Sequence, residues 1–238
     1  MRSMSSSASS RGIAAIVGVG PQLGRSIARN ERREGSGICY PKFRIDCSNL
    51  RSVREAFEGV LSLGFVEVLV YNAYQPVYWN PTNFTHVRVE QFEKAIAVSS
   101  VGAFHCAQQV LPGMVERGRG TVLFSGCSAS LNGFAGYSEL CCGRFAVRGL
   151  SQCLAREFQP LGIHVAHVII HGIVGAPRGL MSSTSQQGLL VGEQEQQRGR
   201  DGLMDPDALA QTYWYLHIQD RCAWTQEIDL HPSSQRCT

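Results

Sequence analysis

Gly12-Ile13-Ala14-Ala15-Ile16-Val17-Gly18-Val19-Gly20-Pro21-Gln22-Leu23-Gly24 is the stretch that decides the fold. Gly12–Gly18 is a short, unbroken apolar run, the pattern of a strand buried on both faces. Glycines then crowd the turn, and a helical pattern starts near Leu23. A turn of this kind gathers backbone N–H groups and a helix N-terminus at one point. Its small residues let a phosphate approach the backbone. Strand, glycine turn and helix in that order predict a first βα unit able to hold a pyrophosphate.

Working outward, strands and helices alternate. Phe65–Tyr71, Thr121–Phe124 and Ile163–Ile170 read as strands, and Lys42–Asp46 as a short one. Ser52–Leu61 reads as an amphipathic helix with Val53, Phe57, Val60 and Leu61 on one side. A long helix is expected from Val89 to Glu116, with Phe92, Ile96, Val101, Phe104 and Val110 among its apolar positions, and another over Tyr137–Phe158. Asp205 caps and Pro206 opens a last helix, and Glu227–Leu230 reads as a last strand. This alternation predicts an α/β fold with a doubly wound parallel sheet in three layers. Residues 12–238 are expected to form one domain. The polar, Ser-rich residues 1–11 are expected to be a disordered tail, and the Gln/Ser/Gly/Arg-rich segment 177–202 a mobile loop.

Composition narrows the function. The 238 residues are 44% hydrophobic and 17% charged, with a net charge of +3, so a real core is available. No basic run exceeds two residues, which argues against a nucleic-acid partner. No window is apolar enough for a membrane span, and no hydrophobic leader is seen; a cytoplasmic location is expected. Nine cysteines without a C-x-x-C or a zinc-type spacing read as buried thiols in a reducing compartment. Asn83-Phe84-Thr85 matches a glycosylation acceptor by pattern only. The histidines of His164-Val165-Ala166-His167-Val168-Ile169-Ile170-His171 read as structural, with no metal site. On a strand His164 and His167 face opposite sides, and His167 and His171 stand about 13 Å apart.

Beyond the glycine turn, the chain resembles the short-chain dehydrogenase/reductase family over roughly residues 12–176 and again over 205–231. Tyr71-Asn72-Ala73-Tyr74 is similar to that family's N-N-A-G stretch, and Asp46-Cys47-Ser48 to its D-V-T segment. Ser99-Ser100-Val101-Gly102 falls at its N-x-x-G. Arg144 to Glu157 is in step with the helix that begins at the catalytic Lys, and Gly162-Ile163-His164-Val165 resembles the next strand. His171-Gly172 stands where the family has P-G. The resemblance implies a Rossmann-like fold and hydride transfer between NAD or NADP and a small carbonyl or alcohol substrate. It implies cofactor contacts at Gly18, Gly20, Gln22, Leu23, Gly24, Asp46, Cys47, Asn72, Ala73 and Arg144. It also implies a homodimer or tetramer built on the two long helices.

The departures from the pattern are physical. In the family a Tyr moves the proton, a Lys four residues later holds the ribose and lowers the Tyr pKa, and a Ser polarises the carbonyl. An unperturbed phenol titrates near pKa 10, so it needs a cation beside it to work at neutral pH. The only lysines here are Lys42 and Lys94, so no Y-x-x-x-K exists. Register along the helix places Arg144 in the Lys slot and Leu140 in the Tyr slot, while Ser99 takes the Asn slot. A rival register pairing Tyr137 with Cys141 shifts the following helix by three residues and is set aside. Ser128 and Ser125 are the hydroxyl candidates. Tyr137, Cys141 and Arg144 fall at i, i+4 and i+7 and can share a face. Tyr137 is then either a displaced acid or a packing residue at the helix start. From Gly24 to Asp46 the chain spends only 22 residues, room for one strand. The second βα unit, whose strand end chooses between NAD and NADP, is therefore expected to be missing, and Gln22 stands where a close-approach Gly is usual. Two functions follow: an oxidoreductase of this type with impaired catalysis, or a catalytically silent Rossmann-fold binding or dimerisation partner.

Overall fold

The computed structural model describes residues 12–35, 41–76, 81–175 and 203–233; the expected tail and the 177–202 loop lie outside them. Strand β1 (Ile13–Val17) opens the chain, followed by helices α1 (Leu23–Gly35) and α2 (Leu50–Leu61) and strand β2 (Val66–Tyr71). Helix α3 (Val89–Ile96), a π-helical stretch (Ala97–Val101) and α4 (Gly102–Arg117) form one continuous rod. Next come β3 (Gly120–Cys127), a 3₁₀ turn (Ser128–Ser130), α5 (Ser138–Phe158) and β4 (Ile163–Ile170). Short strands β5 (Ile173–Val174) and β6 (Leu203–Met204), helix α6 (Pro206–Ile218) and β7 (Glu227–Leu230) complete the described chain.

The main sheet is parallel, in the order β1-β2-β3-β4-β7, and β5 pairs separately with β6. Because the central strands β2, β3 and β4 are covered on both sides, their residues alternate between two cores rather than between core and water. One core lies under α2, α4 and α5 and contains Val53, Phe57, Leu69, Phe124, Val147 and Val165. The other lies under α1 and α6 and contains Leu23, Ile27, Leu123, Val168, Tyr213 and Leu216. Complete burial of a side chain such as Ile27 stabilises the fold by about 1.5–3 kcal/mol.

Local chemistry sets the helix ends. Asn49 accepts the Ser52 N–H to start α2, and Asp205 accepts the Asp207 N–H to start α6, where Pro206 fits the first turn. Gly118 ends α4 in the left-handed region, and its carbonyl lies where a Cβ on Gly162 would stand.

Three expectations need correction. No strand forms over Lys42–Asp46, so the described chain has no strand between α1 and α2. Helix α1 takes up most of that interval, and the chain then docks on α2 instead of β1. The Phe43 ring lies against Gly59, and the Asp46 N–H donates to Ser52 Oγ at 2.9 Å. β1 is therefore a sheet edge. Second, Leu61, Val101 and Phe104 are exposed, and the buried stripes run through Ala56, Ala103, Cys106 and Ala107 instead. Small residues there let the helices sit close to the sheet. Third, Cys47, Cys106 and Cys141 are buried, but Cys142, Cys153 and Cys222 are exposed free thiols.

The histidines of β4 do face opposite layers. His164 points toward α6, with its ring nitrogens 2.9 and 2.7 Å from the Leu216 and Thr225 carbonyl oxygens. His167 is fully buried on the α5 side, and neither ring nitrogen has a hydrogen-bond partner among the described residues. Near it, Arg148 donates two hydrogen bonds to Glu227, at 2.8 and 2.9 Å, and ties the β7 edge to α5. The Arg148 bond holds the Glu227 carboxyl down at about 2.

Burial pushes the His167 imidazole down to about 4, with Glu227 opposing the shift. The folded chain thus takes up the His167 proton only below pH 4, whereas the unfolded chain takes it up near 6.5. Stability from this group is complete above pH 6.5 and falls as the pH drops toward 4, by about 3 kcal/mol at most. His167→Leu should flatten that part of the acid limb, read as denaturant midpoints at pH 7 and pH 4.5. Equal midpoints for the unaltered chain at the two pH values would contradict a buried neutral His167.

Candidate functional site

At the carboxyl end of β1 the chain turns sharply. Gly18 has φ +85°, and a Cβ there would stand 2.6 Å from the Ala73 nitrogen, so only glycine fits. Asn72 locks the turn to β2. Its backbone N–H donates to Val17 O at 2.9 Å, and its side-chain amide donates to Gly18 O at 3.0 Å. A Cβ on Gly24 would lie 2.5 Å from Gly18 O, so this glycine lets α1 begin directly over the turn. Gly20 differs from both: nothing lies within 4 Å of where its Cβ would be. The turn is thus packed tight on its protein side and open at Gly20 beside the start of α1. That is the cradle an anionic phosphate group needs.

Gln22 does not lie across this opening. Its side-chain amide donates to Val174 O at 2.8 Å, which ties the turn to β5. Leu23 is buried in the α1/α6 core and positions the helix from below. Asp46 is exposed, and its carboxylate accepts both the hydroxyl and the backbone N–H of Ser48, which hold its pKa below the usual range. Cys47 is buried, and Gly102 brings α4 against its backbone and the Tyr71 hydroxyl.

The second half of the site gathers around α5, which packs on the Ser128–Ser130 turn and on the π-helical stretch. Ser99 is buried in that stretch, and Gly143 of α5 leaves just enough room for it: a Cβ on Gly143 would stand 3.1 Å from Ser99 Oγ. The widened turn bends the Val98 carbonyl toward Tyr71, whose hydroxyl donates to it. Burial raises the Tyr71 phenol far above its ordinary value, so this phenol is a fixed donor and no acid–base group. Tyr137 stands at the N-cap of α5, partly buried, and its carbonyl accepts the Cys141 N–H at 3.0 Å. The Cys141 thiol in turn accepts the Phe134 N–H at 3.3 Å. Leu140 lies one turn in, partly buried.

Two of the expected residues are turned elsewhere. Ser125 Oγ lies 2.7 Å from Tyr213 Oη, in the α6 layer, because position 125 faces opposite to α5 on β3. Its hydroxyl is thereby committed to that layer; Ser128, the other expected hydroxyl, is partly exposed in the turn that follows β3. Arg144 is buried and turned inward. Its Nη1 donates to the Ser125 carbonyl at 2.7 Å, its guanidinium lies 5.1 Å from the Tyr74 ring centroid, and its Nε has no hydrogen-bond partner among the described residues. Neither arrangement had a signal in the sequence, since both depend on the register of β3 against α5. The π-helical stretch around Ser99 also had none, because it keeps the helical pattern of its neighbours. A cavity of about 420 Å³ near Arg221 and Trp224 opens at the amino ends of β3 and β4, away from these residues.

Known proteins share this fold. The sequence profile of the short chain dehydrogenase family matches residues 14–185. The chain belongs to that family. A short-chain dehydrogenase/reductase of Armillaria gallica is 26% identical over 216 residues, 75% of this chain and 82% of its own. A short-chain dehydrogenase of Rhodopseudomonas palustris superposes with a TM-score of 0.74 at 23% identity, covering 92% of this chain and 97% of its own. A metagenomic short-chain oxidoreductase in complex with NADP superposes with a TM-score of 0.73 at 18% identity, over 92% and 97% of the two chains. No described helix is long and apolar enough to cross a membrane.

Gly18 and Gly20 should separate in stability measurements. Gly18→Ala, strained in the left-handed region and clashing with Ala73, should cost roughly 1–3 kcal/mol and visibly lower Tm. Gly20→Ala should leave Tm within experimental error of the unaltered chain. A large loss from Gly20→Ala would show that the turn is not open.

Proposed function

We propose that the protein is an oxidoreductase acting between a carbonyl and an alcohol with a nicotinamide dinucleotide, and that its chemistry is slow. The open cradle at Gly20 carries this reading: it is braced by Gly18, Gly24 and Asn72 and stands at the start of α1. The pyrophosphate would rest on the Gly18–Gly24 turn, with Ala73 beside it and Asp46 and Cys47 toward the adenine side. When bound, a reduced nicotinamide supplies the hydride that a carbonyl carbon accepts. Ser128 donates a hydrogen bond to the carbonyl oxygen. Tyr137, at the start of α5, would give that oxygen its proton, because Leu140 has none to give. Arg144 serves as a charge beside the site and holds β3 to α5. A guanidinium so committed is no equal of a compact ammonium on a ribose.

A second reading, a silent binding or dimerisation partner, is favoured by the exposed faces of α4 and α5. Val101, Phe104 and Phe145 are each more than 40% exposed, and the family resemblance implies pairing through these helices. It is distinguished from the first by dinucleotide binding.

Titration of the full chain with NADPH and NADH, followed by nicotinamide fluorescence, should show weak saturable binding. The preference for either should be under tenfold, because among the described residues no strand lies on the open side of β1 to read the ribose 2′ position. Gly20→Ala should weaken both at least tenfold without changing Tm. Absence of binding would leave the silent partner as the function. Carbonyl reduction should fall short of an enzyme with a full acid by about 10²–10⁴-fold. Tyr137→Phe should abolish what remains, and Leu140→Tyr combined with Arg144→Lys should raise it. Unchanged activity in Tyr137→Phe would make Tyr137 a structural residue.

A further inference from the structure

β4 and β7 pair in parallel from His167↔Glu227 to Ile170↔Leu230. The ladder runs one step further, where the His171 N–H donates to Leu230 O at 2.8 Å. Side chains alternate along a strand, so positions 167, 169 and 171 share a face with positions 227, 229 and 231. The Arg148–Glu227 ion pair marks that face as the α5 side. At its carboxyl end it presents two imidazoles and a carboxylate: His171, Asp229 and His231.

These three groups are already close. His171 Nε2 lies 2.6 Å from Asp229 Oδ1, and the His171 and His231 rings are stacked with centroids 4.0 Å apart and planes 9° from parallel. One ligand atom from each lies within 4.8 Å of the other two. His171 is mostly buried and held by the ladder, while Asp229 and His231 are exposed and open to an ion from solvent. Imidazole nitrogen and carboxylate oxygen are both ordinary ligands of a divalent transition metal.

We propose that His171, Asp229 and His231 form a site for a divalent transition-metal ion of the Zn²⁺ class, with its remaining positions open to water. Imidazole and carboxylate together suit Zn²⁺ and Co²⁺ rather than the oxygen-seeking Mg²⁺ or Ca²⁺. Metal–ligand bonds of about 2.0–2.2 Å place tetrahedral ligand atoms about 3.3 Å apart. The ion would take the place of the proton between His171 and Asp229, and the exposed His231 ring would swing in to meet it. Bound there, it would pin the end of β7 to the end of β4. Sequence reading weighs His171 only against His164 and His167. Asp229 and His231 stand some 58 residues further on, and only the sheet register brings them in.

The test uses the full chain without an affinity tag, stripped with a chelator and titrated with Co²⁺. One equivalent should bind and give visible d–d bands without the near-ultraviolet thiolate-to-cobalt band, and Zn²⁺ should displace it. Zn²⁺ should raise Tm, as any ligand of the folded state does. His231→Ala and Asp229→Asn, both at exposed positions, should each weaken binding at least tenfold and remove the Tm rise. Circular dichroism checks that both variants keep the fold. The proposal is overturned by a lack of saturable binding, by undiminished affinity in His231→Ala and Asp229→Asn, or by a thiolate band that puts the ion on cysteine.

Discussion

The site half built from the glycine turn depends on one close approach, that of Gly18 to the Asn72–Ala73 backbone. No side chain separates the two segments, so the end of β1 and the end of β2 lie in direct contact. Asn72 then fastens both Val17 and Gly18 by hydrogen bonds. With the turn fixed, α1 has one available direction, over the sheet and against α6. Asn30 reaches the Ala210 carbonyl there, and Leu23 and Ile27 enter the shared core. A bulkier residue at 18 would lift the turn, and the start of α1 would move with it.

The short interval before α2 changes what β1 has to do. In a doubly wound sheet the ligand crevice opens where the strand order reverses, with strands on both sides of the first one. Here β1 pairs only with β2 among the described residues. Ile13 and Val17 bond toward β2, so the intervening Ala14 and Ile16 turn their backbone groups to the free edge. Such an edge invites pairing with other chains. Its length of five residues and the cover that α1 gives its face limit the hazard. They do not replace the wall that a neighbouring strand would supply to an adenosine.

Much of this was legible in the sequence, for identifiable reasons. Strands buried on both faces are unbroken apolar runs, so β1, β2 and β4 could be read almost to the residue. The Asp205-Pro206 pair announced α6, and Gly18, Gly20 and Gly24 announced the tight turn between β1 and α1. What escaped depends on contacts between distant segments. Phe43 and Asp46 look like strand residues until α2 claims them. Gln22 looks like an obstruction until Val174 draws its side chain aside. Helical register places Arg144 correctly on α5, but it cannot say that the guanidinium turns inward.

That inward turn explains how the hydroxyl turn keeps its place without a lysine. An ammonium is a point charge; a guanidinium is a long planar fork that can reach a backbone oxygen while stacking on a ring. Arg144 does both, with the Ser125 carbonyl and Tyr74. From the other layer, Tyr213 holds the Ser125 side chain. The residue three before Ser128 is thus clamped from both faces of the sheet, its carbonyl toward α5 and its hydroxyl toward α6. The Ser128 turn leaves β3 from a rigid base whether or not a proton donor stands opposite. The base of this turn is therefore held by packing and by the side-chain hydrogen bonds of Arg144 and Tyr213.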